Sequence, residues 1–309
     1  MTAMLTSSRG PLYKNLDVHV DGLGSFSINY VEDGPSEASN VLLLHSFPSD
    51  SSQFREFIPL LSHKYHVFAP DLPGFGLTTS PKDMTYSFEN LTAAIEAWLA
   101  ALEISSYAVY VFGYGAAVCF RLAMKHPEQL KAIITQNGNA YDEGFGQSFW
   151  APIFKLWETE NSNDAREFLR DNILTPEKTE FQYYMGAPEV DHALVNPMQW
   201  KTDFLLNIAG RENQEHQLDL LYDYRNNKEM YPMFQEYFRK SQVPTLAVWG
   251  KGDPAFIYPG AEAFKKDLPN AEVHLLDAGH FALETARWEI AKLMLGFLEK
   301  IGHDNKGPH

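Results

Sequence analysis

Residues 107–117, Tyr107-Ala108-Val109-Tyr110-Val111-Phe112-Gly113-Tyr114-Gly115-Ala116-Ala117, carry the reading that decides the fold. The first six are apolar or aromatic and uncharged, as in a strand covered on both faces. The chain then passes through Gly113-Tyr114-Gly115 into a helical pattern that runs to Lys125 and closes at His126-Pro127, since the residue before proline avoids helical backbone. A strand, a glycine turn and a helix in direct succession make a unit of a parallel sheet.

Working outward, the same alternation recurs. Strands are expected at 16–20, 25–30, 41–45, 67–69, 107–112, 132–135, 245–249 and 273–276, and helices at 53–61, 88–102, 115–125, 260–266 and 288–300, the second capped by Ser87. This pattern predicts an α/β protein: a mostly parallel eight-stranded sheet with helices on both faces. From 138 to 241 the pattern changes to helix-like segments rich in aromatics, among them Phe149, Trp150, Trp157, Tyr183, Tyr184, Trp200, Tyr222, Tyr224, Tyr231 and Tyr237. That stretch reads as an inserted helical cap. The expected division is a core domain of 1–137 and 242–309 with a cap domain of 138–241.

A chain of 309 residues with 45% hydrophobic content can bury a sizeable core. Its formal net charge of −15 argues against nucleic acid, which needs a basic face, and disfavours anionic membrane surfaces. No apolar run approaches the roughly 20 residues of a membrane helix. Residues 1–10 lack the pattern of a signal peptide, and both they and 302–309 read as poorly ordered tails. Cys119 is the single cysteine, which fits a reducing, cytoplasmic setting. Asn90-Leu91-Thr92 matches a glycosylation pattern but reads as a helix start. No metal-binding cluster or phosphate-cradling loop is apparent, and Gly113-x-Gly115 lacks the third glycine of a dinucleotide fingerprint. No cofactor is therefore expected. The expected partner is a small-molecule substrate, for a monomer or homodimer.

Several loops follow strand ends, where α/β sheets bind ligands. They are His45-Ser46-Phe47-Pro48-Ser49, Asp71-Leu72-Pro73-Gly74-Phe75-Gly76, the glycine turn at 113–115, Trp249-Gly250-Lys251-Gly252-Asp253-Pro254, and Asp277-Ala278-Gly279-His280-Phe281. Their order and spacing resemble the α/β-hydrolase fold superfamily from about Leu12 to Ile301. Tyr114-Gly115-Ala116, His45-x-Phe47-Pro48 and Gly279-His280-Phe281-Ala282-Leu283-Glu284 are similar to the epoxide-hydrolase and haloalkane-dehalogenase branch, whose nucleophile is an aspartate. The resemblance implies His280 as general base and Asp253 as the carboxylate orienting it, with Asp142 as a competing acid. It also implies backbone N–H groups of Phe47 and Tyr114 as an oxyanion hole. Tyr183, Tyr184, Tyr224 and Tyr231 are candidate proton donors from the cap, and Trp150 a candidate pocket wall. For each the competing reading is plain packing or turn formation.

One departure stands out. Gly113 occupies the nucleophile position, and sliding the register puts Gly115 there, which is no better. Cys119 falls inside the following helix and Ser106 before the strand, so neither supplies a substitute. Ser46 stands where the family usually has glycine, and Ala117 where many relatives have proline. Ser46 either adds a hydroxyl to the oxyanion region or satisfies its own turn. Removing the nucleophile of a hydrolase triad costs about a millionfold in rate. What remains is a histidine–carboxylate pair, backbone donors, an apolar cavity under an aromatic cap and extra volume at 113. The expected function is non-covalent acid–base catalysis on a small, largely apolar molecule: cyclisation, isomerisation, elimination or water addition. Hydrolase-like cyclases and lyases of natural-product pathways make similar use of the fold. The alternatives are an epoxide hydrolase or haloalkane dehalogenase whose aspartate was replaced at 113, and a non-catalytic receptor or carrier.

Overall fold

The computed structural model describes residues 10–302. Apart from Gly10 and Gly302, the tails expected from sequence lie outside the described residues. Eight strands, β1 (Leu12–Val20), β2 (Gly24–Asp33), β3 (Asn40–Leu44), β4 (His66–Pro70), β5 (Tyr107–Phe112), β6 (Leu130–Gln136), β7 (Thr245–Gly250) and β8 (Glu272–Leu276), fall on the expected segments. They form one sheet in the order β1-β2-β4-β3-β5-β6-β7-β8. β2 is antiparallel to β1 and β4, and every other pair is parallel.

Successive side chains of a strand point to opposite faces, and the apolar runs serve two cores accordingly. Leu42, Leu44, Val109 and Val111 enter one core, while Val41, Leu43, Tyr110 and Phe112 enter the other. Helix α1 (Ile58–Leu61) lies on the second face; α2 (Phe88–Ala101) and α3 (Tyr114–Lys125) cover the first. Ser87 caps α2 by accepting the Asn90 N–H at 3.2 Å, and Thr92 is fully buried. The glycosylation pattern is thus a helix start.

The expected helix at 53–61 is instead a 3-10 turn, Ser51–Phe54, followed by α1. Pro59 explains the break, because proline fits the first turn of a helix but not its interior. It opens α1 and cannot continue the preceding turn.

Between β6 and β7 the chain inserts α4 (Gln147–Glu158), α5 (Asn163–Asn172), α6 (Pro176–Tyr184), α7 (Pro197–Asp203) and α8 (Arg211–Ser241). Ser162 and Thr175 accept backbone N–H groups at the starts of α5 and α6, which satisfies donors a helix leaves open. α8 packs its apolar stripe on α3, where Phe120 meets Phe234 at 5.4 Å and Phe238 at 5.2 Å between ring centres. After β7 come α9 (Pro259–Ala263), which passes into a 3-10 turn rather than one helix to 266, then α10 (Ala282–Thr285) and α11 (Arg287–Lys300). Helix α11 completes the second face with Ile290, Met294 and Leu298. Among the described residues no helix is long and apolar enough to cross a membrane.

Candidate active site

The loops after β3, β5, β6, β7 and β8 leave the sheet at the same edge, because those five strands run parallel. The β8 loop carries His280 and the β7 loop Asp253, both buried, with His280 Nδ1 2.7 Å from Asp253 Oδ2. Asp253 is held from two further directions: its Oδ1 accepts the Ala255 N–H at 2.7 Å, and its Oδ2 accepts the Asn137 side-chain amide at 2.8 Å. An ionised carboxylate only accepts, so the proton of the neutral ring sits on Nδ1 and Nε2 keeps its lone pair. The His280 loop is pinned too. Its N–H donates to Met185 of the inserted helices at 3.2 Å, and its carbonyl accepts Gln136 Nε2 at 3.0 Å. Asp142 is an exposed turn residue 3.4 Å from Lys228. It plays no part in the dyad.

Gly113 follows β5 directly with φ +42° and ψ −106°, backbone that a residue with a side chain rarely adopts. A Cβ built there would stand 2.2 Å from Ser46 Oγ and 2.9 Å from Ser46 Cβ. Ser46 Oγ also accepts the Tyr114 N–H at 3.0 Å. Two expectations are corrected here. The space beside Gly113 is not extra volume, because the Ser46 hydroxyl fills it. The Tyr114 N–H is not an open oxyanion donor, because that hydroxyl takes it. Gly115 has a packing reason of its own, since a Cβ there would meet the Leu44 carbonyl at 2.4 Å.

Beside them, the Phe47 ring stands 6.1 Å from that of Tyr114. His45 Nε2 accepts the Leu72 N–H at 2.9 Å, and Nδ1 lies 3.3 Å from the Ser46 carbonyl. Burial holds its pKa down at about 4, so it is a neutral tie between two loops. Cys119 is buried inside α3, and burial pushes its thiol pKa up. Ser106 lies at the opposite end of β5, where its carbonyl accepts from Asn40. Neither is a nucleophile for this site.

Aromatic side chains of β5 and the β7 loop stand against the dyad, and those of the inserted helices pack behind them. Phe112 and Phe256 stand 4.8 and 6.3 Å from the His280 ring. Trp150 meets Phe256 at 5.3 Å and Tyr224 at 4.9 Å, and its Nε1 donates to the Ala255 carbonyl at 2.9 Å. Tyr224 reaches Tyr114 at 5.7 Å, and its hydroxyl pairs with that of Tyr231, which also accepts from Asn139 at 3.2 Å. Burial raises the pKa of both tyrosines, so they stay neutral. Trp150, Tyr224 and Tyr231 therefore gather in one cluster.

The other two cap tyrosines do not join them. Tyr183 stacks on Phe281 at 3.9 Å, and its hydroxyl donates a hydrogen bond to Asp203 Oδ2, so that donor is already engaged. Tyr184 is only partly buried and lies 5.0 Å from His192. Among the described residues no group of three or more His, Cys, Asp or Glu side chains is placed to hold a metal ion. A surface groove of about 750 Å³ runs past Trp157, Arg225, Lys228 and Gln235 and touches the aromatic cluster only at Tyr231.

A family model for the α/β hydrolase fold matches residues 40–286. The chain belongs to the α/β-hydrolase fold family. It is 42% identical over 257 residues to a Saccharomyces cerevisiae protein described as an uncharacterized hydrolase, covering 83% of this chain and 88% of that one. The haloalkane dehalogenase DbeA of Bradyrhizobium elkani superposes with a TM-score of 0.74 at 20% identity, covering 95% of this chain and all of that one. The epoxide hydrolase CorEH superposes with a TM-score of 0.70 at 16% identity, over 94% of this chain and all of that one.

Two residues beside the dyad, Asn137 and Phe256, escape a reading of the sequence. Asn137, at φ +47°, clamps Asp253 and also accepts the Gly250 N–H at 2.9 Å. Phe256 separates Trp150 from His280. Asn227, one helical turn from Tyr224 on α8, buries both polar atoms of its side chain without a protein partner among the described residues, as Tyr114 does its hydroxyl. The one available signal was Asn137-Gly138 directly after a strand, since asparagine tolerates left-handed backbone.

Proposed function

We propose that this α/β-hydrolase is an enzyme of non-covalent acid–base catalysis on a small, largely apolar molecule. The reading treats residues 138–241 as a cap domain over the site. It rests above all on one observation: a fully supported His280–Asp253 dyad stands beside an elbow whose residue, Gly113, has no side chain. A neutral His280 Nε2 takes a proton from a carbon acid or a hydroxyl group, and the Asp253 carboxylate stabilises the imidazolium that forms. The same proton returns at another atom of the substrate. Cyclisation, isomerisation, elimination and water addition share this demand.

The developing negative charge needs a donor. The Tyr114 N–H reaches it only through Ser46, whose hydroxyl accepts that N–H and offers its own proton. Chains of hydrogen bonds polarise one another in this way. The unpartnered Tyr114 hydroxyl and Asn227 amide fit a substrate with an oxygen function at one end of an apolar body. The single buried thiol, Cys119, fits a cytoplasmic setting.

The test is to incubate the wild-type protein and His280→Ala with a small-molecule extract of the organism that makes it, and to compare products by mass spectrometry. At least one product peak should depend on His280. Identical profiles would reject the reading.

A further inference from the structure

Position 46 and position 113 exchange what each supplies. Where the resemblance expects glycine after His45 the chain has Ser46, and where it expects a nucleophile the chain has Gly113. The two residues meet in space: Ser46 Oγ lies 2.2 Å from where a Cβ on Gly113 would stand. A carboxylate oxygen built on that carbon would lie at nearly the same range, being joined through bonds of roughly 1.5 and 1.2 Å. The hydroxyl also holds the Tyr114 N–H, the donor that the oxygen of a side chain at 113 would otherwise meet.

We infer that Ser46 occupies the place of the missing nucleophile's oxygen and thereby closes the covalent route, making it the residue that determines which chemistry the site runs. Gly113→Asp alone puts its Cβ into the Ser46 hydroxyl. Ser46→Gly together with Gly113→Asp clears the space and frees the Tyr114 N–H for the introduced carboxylate. With bromobutane as probe, an oxygen of that carboxylate attacks the carbon bearing bromine. The C–O bond forms, the C–Br bond breaks, and bromide leaves with the bonding pair, giving an alkyl ester on residue 113.

This inference deepens the acid–base reading, but its readout does not need His280, so the two can fail separately. All variants are made on His280→Ala, which lacks the base that would activate water against the ester. Intact-protein mass and free bromide are followed over time with bromobutane. The triple variant should gain one butyl group per chain at least about tenfold faster than Gly113→Asp/His280→Ala, a difference worth roughly 1.4 kcal/mol. Equal rates, or no adduct on a triple variant that melts cooperatively, would overturn the inference. Thermal unfolding gives an independent check: Gly113→Ala should lower Tm less in a Ser46→Gly background than in the wild type. Equal losses in the two backgrounds would also overturn it.

Discussion

The loops after β6, β7 and β8 and those after β3 and β5 meet at one site, yet they are built to different standards. In the first group each Asp253 oxygen has a donor, His280 has its carboxylate, and the His280 loop is pinned at both N–H and carbonyl. In the second group the elbow keeps its backbone at φ +42° while the side chain that such a turn presents is absent. That space is filled by Ser46, from the loop after β3. Both halves are closely packed, but only the first presents a histidine–carboxylate pair.

The sharpest way to break this contrast is His280→Ala. If the dyad is the working half, turnover of its substrate should fall by about 10²–10⁴-fold, the usual range for a positioned acid–base group. A smaller effect follows from Asn137→Gly, which keeps the left-handed backbone but removes a donor from the buried Asp253 carboxylate. Thermal or urea unfolding should report a loss of about 1–3 kcal/mol, the cost of an unsatisfied buried polar group. A loss within error would mean that Asn137 is not part of the clamp.

A pH-dependent effect concerns the other half. Burial lowers the His45 pKa to about 4 from an ordinary 6.5. Between those values the unfolded chain binds a proton that the folded one refuses, so this contribution to stability is present above about pH 6.5 and is lost as pH falls towards 4. His45→Gln retains a donor and an acceptor without titrating. The Tm difference between wild type and variant should therefore shift against the wild type as pH drops through that window. A difference that is flat with pH would contradict a buried neutral His45.

Much of the sheet was legible because its strands are unbroken apolar runs bounded by turn formers, and Tyr107–Phe112 needed nothing from elsewhere in the chain. The helix expected at 53–61 failed because Pro59 is equally consistent with a helix start and an interior interruption. His280 and Asp253 were legible because each follows its own strand directly. The Ser46–Tyr114 contact was not, since its partners are 68 residues apart and nothing local to either announces the other. Tyr183 and Tyr224 carry the same side chain on the same inserted segment. Only packing shows that one is tied to Asp203 while the other packs against Trp150 and Phe256.

On the proposed chemistry the site moves protons without bonding to its substrate. This is tested most directly by acid-quenching the wild-type enzyme during turnover of the molecule found through His280→Ala, then weighing the intact protein. The account predicts an unchanged protein mass while product accumulates. An acyl or alkyl adduct that forms and decays at the rate of turnover, on Ser46 or any other residue, would contradict it.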